Sequence, residues 1–234
     1  MNACICCWLL LLAAGGTSAD AAPLQPCDRI EIWIEAKDER EFGRELGAAV
    51  CAARRRFEAV FGRRLRQRVS IRVLGDMARW RRSSGHPWYI AAALVGDAIV
   101  SQPPRSLRRL ADPARPLVHE LAHLFIRRAA GRGCARWLDE GLAQWLAGDR
   151  RRGRVPVDAA ALFALERRLG AAAGSRAERR RDYAAARALV GKLVRRLGLK
   201  ALLAALPRLR RQADPLALEI GGRPLGSWLY APDG

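Results

Sequence analysis

The chain has 234 residues, half of them apolar and 28% charged, with a formal net charge of +19. This length and composition exclude a wholly disordered chain and leave room for one substantial domain. Only three of the 42 basic residues are lysine, and the densest arginine runs, at 150–154 and 179–181, have no interleaved aromatic residues on which bases could stack. We therefore expect a solvated basic surface and no specific nucleic-acid partner.

Residues 1–21 have the pattern of an export signal. An apolar stretch from Ile5 to Ala14 is too short to span a membrane, and small residues suited to cleavage follow it as far as Ala22. The pattern departs from the usual signal because no lysine or arginine precedes the apolar stretch. No later segment reaches about 18 apolar residues. We expect an exported protein, periplasmic or extracellular, with no transmembrane anchor after signal cleavage.

Signal cleavage would leave three cysteines, Cys27, Cys51 and Cys134. In an oxidising compartment these allow one disulfide and one free thiol, in any of three pairings. None of the three belongs to a CxxC pair, so the sequence does not support a zinc site made of cysteines.

The first half of the chain mixes strand and helix patterns. An apolar stripe predicts a helix from Glu39 to Phe61, and His86 lies in a segment typical of a loop. Short strands are predicted at residues 29–34, 69–74, 89–95 and 98–101, the last two joined by a turn at Gly96-Asp97.

The second half is predicted to be helical from about Ala114 onward. Asp112 is the predicted N-cap of the first of these helices, with Pro113 at its first position. Apolar periodicity predicts two later helices, at 183–197 and 199–209, and the residues after Gly221 are expected to form a loop.

Two of the three histidines stand four residues apart, in His119-Glu120-Leu121-Ala122-His123. On a helix this spacing puts His119 and His123 on one face, where their ring nitrogens could hold one Zn²⁺ at about 2.0–2.1 Å. Glu120 points beside that face, where a general base belongs. A catalytic zinc site also needs a third protein ligand.

The third ligand is expected in the segment after the motif. The metzincin pattern is excluded because Ile126 and Ala129 stand where it requires a glycine and a histidine. Glu140 follows a glycine-containing turn, within Trp137-Leu138-Asp139-Glu140-Gly141-Leu142-Ala143. A second helix there would bring Glu140 beside the histidines, with Asp139 as a cap or as a partner of a ligand.

The two segments, 119–123 and 137–143, resemble the HE-x-x-H and W-L-x-E-G-x-A signature of the gluzincin metallopeptidases, most closely their compact bacterial branch, the peptidase MA-like proteins. The resemblance covers residues 85–210 and implies an α+β, thermolysin-like catalytic domain. In chain order we expect a signal peptide at 1–21, a catalytic domain at 27–222 and a tail at 223–234. Within the domain, residues 27–130 would form a small mixed sheet with helices, including the HExxH helix. Residues 131–222 would form a helical lobe.

By this resemblance His119, His123 and Glu140 would bind one zinc ion per chain. Glu120 would act as general base on a water activated by that zinc, and the water would hydrolyse a peptide bond. Tyr183 is a candidate for stabilising the oxyanion, although its helix also needs an apolar residue at that place. The alternative is a non-catalytic zinc-binding envelope or scaffold protein of the same fold.

The resemblance also implies how a substrate would bind. A peptide or protein substrate would lie along an exposed edge strand within residues 89–101. That segment contains no glutamate and no GxMEN-like sequence, the features with which aminopeptidases of this class hold a free amine. We therefore expect a zinc-dependent endopeptidase.

Overall fold

The computed structural model describes residues 23–131, 134–156, 158–171, 174–211 and 214–230. The predicted signal peptide and the last four residues of the predicted tail lie outside the described residues. The described chain is α+β, with a small mixed sheet near the N-terminus and a mostly helical remainder.

One five-stranded sheet forms the β part of the fold. Its strands are β1 (Leu24–Cys27), β2 (Ile30–Ile34), β3 (Val69–Val73), β4 (Ala92–Val95) and β5 (Ala98–Ser101). Their order across the sheet is β1-β2-β3-β5-β4. β2, β3 and β5 are parallel, while β1 and β4 run antiparallel to their neighbours at the two edges. The predicted strands are confirmed, except that β4 begins three residues later than expected.

The helices are α1 (Arg40–Phe61), α2 (Met77–Ser84), α3 (Pro104–Leu107), α4 (Arg115–Ala130), α5 (Arg136–Leu146), α6 (Ala159–Gly170), α7 (Arg176–Leu197), α8 (Leu199–Ala205) and α9 (Leu225–Tyr230). Short 3-10 turns lie at Lys37–Glu39, Leu206–Arg211 and Pro215–Ala217. A two-stranded ladder pairs β6 (Glu219–Ile220) with β7 (Arg223–Pro224).

The start of α4 differs from the prediction. The helix begins at Arg115 rather than at Pro113. This start puts Pro116 within the first two helical positions, where a backbone N–H needs no intrahelical partner. The side chain of Asp112 still satisfies backbone donors at the start of the helix. Its Oδ1 accepts hydrogen bonds from the backbone N–H groups of Ala114 and Arg115, both at 3.1 Å.

The prediction of a loop after Gly221 is wrong for residues 223–230, which form β7 and α9. Leu225 and Leu229 stand four apart on α9, and both are buried in the core. The indole Nε1 of Trp228 donates to the backbone carbonyl of Ile220 at 3.1 Å and ties the helix to β6. The described part of the tail therefore belongs to the folded domain.

One large hydrophobic core runs from the sheet to the C-terminal helices, and a smaller cluster of Leu74, Trp80, Ala93 and Val100 packs α2 against the sheet. α4 packs against α1 and the sheet on one side and against α5 on the other, and α5 packs closely on α7. A disulfide joins Cys27 of β1 to Cys51 of α1, and Cys134 is a free thiol. Among the described residues, no helix is both long and apolar enough to cross a membrane.

Candidate metal centre

The predicted ligands His119, His123 and Glu140 meet at one point between α4 and α5. The two Nε2 atoms of the histidines lie 3.1 Å apart. Oε2 of Glu140 lies 3.3 Å from Nε2 of His119 and 3.6 Å from Nε2 of His123. Ligands at about 2.0–2.1 Å from a tetrahedral Zn²⁺ are separated from one another by about 3.3 Å, so the triangle has the size that a zinc ion requires.

The chemistry of the three groups also fits zinc. Two imidazole nitrogens and one carboxylate oxygen form a donor set that zinc enzymes use, with a fourth position open. Oε2 of Glu140 is buried and has no hydrogen-bond partner in the described chain. An unsatisfied buried carboxylate oxygen is costly, and a cation would satisfy it. The residues present therefore fit a zinc ion.

Asp139 fixes the orientation of the His123 ring. Its Oδ1 lies 2.6 Å from Nδ1 of His123, which leaves Nε2 facing the other two ligands. Although burial opposes charge on this ring, the carboxylates of Glu140 and Asp139 outweigh it and raise the pKa of His123 well above its ordinary value. Burial also opposes charge on Glu140, but His123 and His119 hold the pKa of that carboxyl far below its ordinary value.

Glu120 lies next to His119 on α4 and is not one of the three converging groups. Burial raises the pKa of Glu120, and the neighbouring His123 and His119 oppose this effect. A partly buried carboxyl group beside candidate metal ligands, with its pKa raised by that burial, is suited to act as a general base.

Two contacts hold α5, and with it Glu140, in place. The carboxylate of Glu166 on α6 accepts hydrogen bonds from the backbone N–H groups of Arg136 and Trp137 at 2.9 and 3.0 Å, which caps the start of α5. A Cβ at Gly141 would lie only 2.4 Å from the backbone carbonyl oxygen of Ala186 on α7. The residue after Glu140 must therefore be glycine for α5 and α7 to pack this closely.

Tyr183 lies on α7, half-buried, at the side of the centre. Burial raises the pKa of its phenol. The negative charge of Glu140 raises it further, and that of Glu120 does so less strongly. The phenol is therefore protonated at neutral pH and lies within electrostatic range of the site. The backbone carbonyl of Tyr183 accepts a hydrogen bond from Gln144 on α5 at 3.2 Å, which ties the two helices together beside the site.

The residues just before β4 contact the residues around the start of α7. The phenol of Tyr89 donates to the backbone carbonyl of Gly174 at 3.1 Å. The guanidinium of Arg176 lies 5.2 Å from the ring centre of Trp88, a cation–π distance. No local sequence pattern predicts the contact of Tyr89 with Gly174, because the two residues are 85 positions apart in the chain.

Other candidate residues are not part of the centre. His86 lies in a loop, as predicted, and its ring stacks on Trp80 with centroids 6.5 Å apart. Trp137 is buried in the core. Trp145 is partly buried beneath the guanidinium of Arg187, 5.1 Å from its ring centre.

No protein-family model, no curated protein and no solved structure matches the chain.

Proposed function

We propose that this chain is a zinc-dependent peptidase of the gluzincin type, with a thermolysin-like arrangement, and that it acts as an endopeptidase. One observation carries the proposal. Three ligand atoms of His119, His123 and Glu140, from two different helices, lie 3.1 to 3.6 Å apart. The order of the sheet, with an antiparallel edge strand β4, supports the thermolysin-like arrangement.

The roles of the residues follow from their chemistry. His119, His123 and Glu140 would hold the zinc, and Asp139 would keep the His123 ring in place. Zinc, when bound, would supply a Lewis acid that polarises the scissile carbonyl and lowers the pKa of a water molecule.

Glu120 would move the proton. Its carboxylate would accept a proton from the attacking water and later deliver it to the nitrogen of the leaving amine. The partial burial of Glu120 supports this role, because desolvation makes a carboxylate a stronger base than an exposed one. Tyr183 would donate a hydrogen bond from its protonated phenol to the developing oxyanion.

The substrate would bind along β4. This strand is the last in the sheet order and pairs with β5 alone among the described strands. Its outer backbone groups can therefore form hydrogen bonds with an extended peptide, which is recognition by β-augmentation.

We also propose that the protein is exported to the periplasm or the cell exterior. The apolar stretch of residues 5–14 supports this, and so does the Cys27–Cys51 disulfide, because such bonds persist in oxidising compartments. Fractionation of producing cells tests this part on its own. Mature protein confined to the reducing cytoplasm would contradict it.

The variant Glu120→Gln tests the catalytic part of the proposal. It should retain one zinc per chain and lose peptide hydrolysis by about a hundredfold or more, because the general base is removed and the ligands stay. Glu45→Gln, at an exposed position on α1, is the matched control and should remain active. Zinc binding without hydrolysis in the unaltered protein and both variants would favour the scaffold alternative.

A further inference from the structure

A solvent-open cavity of about 1000 Å³ lies on the far side of α4 from the candidate metal centre. Its walls come from the β1–β2 turn, the C-terminal half of α1, the loop after it and α4. Phe125 of α4 lines the cavity and stands two residues after His123, so it points away from the metal ligands. The cavity is therefore separate from the site described above.

The cavity is strongly basic. Seven arginines and two carboxylates, Asp28 and Glu58, line it. This gives the lining a net charge of +5, since no other lining residue is charged. A concave surface lined by one sign of charge concentrates counter-ions of the opposite sign.

Each of the two carboxylates lies near one arginine of the lining. Asp28 is 3.3 Å from Arg29. Glu58 accepts a hydrogen bond from the backbone of Leu65 and lies 3.9 Å from Nε of Arg54, too far for a hydrogen bond. That Nε is buried without a hydrogen-bond partner in the described chain.

Three arginines of the lining, Arg55, Arg63 and Arg64, are exposed, and none of them forms an ion pair with a carboxylate of the described residues. Each guanidinium group is planar and presents paired N–H donors that can bind two phosphate oxygens at once.

The backbone at the edge of the cavity is strained. Arg29 is the one non-glycine residue of the described chain with a positive φ, at 65°. Glycine, asparagine or aspartate would adopt this conformation at lower cost. The strained backbone holds an arginine at the cavity wall, where its side chain donates to the backbone carbonyl of Arg66. Such strain is typical of functional positions.

We propose that this cavity binds an anion that carries two or more phosphoryl groups. The +5 lining favours a multiply charged ligand, and the volume exceeds what one phosphate ion fills. The inference is independent of the proposed peptidase activity, because none of the zinc ligands lines the cavity.

Calorimetric titration of the full chain with inorganic pyrophosphate tests this site, at constant ionic strength because salt screens such binding. The triple variant Arg55→Gln, Arg63→Gln, Arg64→Gln should bind about tenfold or more weakly. The matched control, Arg150→Gln, Arg152→Gln, Arg180→Gln, makes the same charge change at exposed positions outside the cavity. It should bind as the unaltered protein does.

Sedimentation with phosphatidylcholine vesicles that contain cardiolipin, a lipid with two phosphoryl groups, distinguishes a lipid headgroup from a soluble compound as the source of these groups. Vesicle binding that is lost in the cavity variant alone would assign the phosphoryl groups to lipid headgroups. Pyrophosphate binding without vesicle binding would assign them to a soluble compound. Equal weakening in both triple variants, or no binding of either probe by the unaltered protein, would overturn the proposal.

Discussion

Oδ1 of Asp139 lies 2.6 Å from Nδ1 of His123, so the residue before the proposed ligand Glu140 holds the ring of another proposed ligand. Carboxylates that accept the second N–H of a metal-binding histidine fix its tautomer and raise its basicity. Glu140 thus supplies a proposed ligand, and Asp139, the residue before it on α5, orients another. The sequence predicts Asp139 as a cap or as a partner of a ligand, and its carboxylate lies against the His123 ring.

Replacement of Asp139 should therefore weaken zinc binding. We expect Asp139→Asn to lower the zinc affinity by about 10- to 100-fold, as changes to such partners of metal ligands do. Competition titration with a chromophoric chelator measures this. Asp97→Asn, in the exposed turn between β4 and β5, is the control and should bind zinc normally. Unchanged affinity in Asp139→Asn would contradict the positioning role.

Gly141→Ala should destabilise the protein and disturb the centre. The added Cβ would collide with the backbone of Ala186 and push α5 away from α7. Overpacking of this kind costs about 1–3 kcal/mol of unfolding free energy. Denaturant unfolding measures the loss. Gly226→Ala is the control, because its Cβ would meet its nearest atoms at 3.5 Å, an ordinary contact distance. Equal stability of the two variants would contradict the close approach of the helices.

Zinc affinity should rise with pH. In the metal-free protein the carboxylates of Glu140 and Asp139 keep the pKa of His123 well above its ordinary value, against the effect of burial. Zinc needs the neutral ring, so binding must release a proton near neutral pH, and affinity falls as the pH is lowered. Calorimetry in two buffers of different ionisation enthalpy counts the proton. Binding with no proton release near neutrality would refute this explanation.

Tyr183→Phe should lower kcat by about a hundredfold if the phenol stabilises the oxyanion, with little change in KM or zinc content. Steady-state kinetics on a cleaved peptide measure the effect. Tyr230→Phe is the control, because its hydroxyl has no hydrogen-bond partner in the described chain. Full kcat in Tyr183→Phe would show that this tyrosine serves packing alone.

The sequence predicted the parts of the site that depend on local spacing. His119 and His123 are one helical turn apart, and a helix fixes their relation without help from the rest of the chain. Glu140 was predicted through a resemblance in the segment that carries it. The support of α5 by Glu166 could not be predicted, because a contact across 29 or 30 residues has no local pattern.

The missed elements of the fold have similar physical reasons. β1 contains Pro26, a residue that cannot donate to a strand ladder and is confined to edge strands, so its segment lacked a strand pattern. α9 has six residues and only two buried leucines, which is too short for a clear helical period. Both elements are stabilised by packing against the core, and no local sequence pattern predicts them.

The most direct test of the central claim is metal analysis of the purified protein combined with digestion of an unbiased peptide library, with and without chelator. We predict one zinc per chain, cleavage of internal peptide bonds, loss of cleavage with chelator and its return when zinc is added back. Metal-free protein that still cleaves the library would contradict the account.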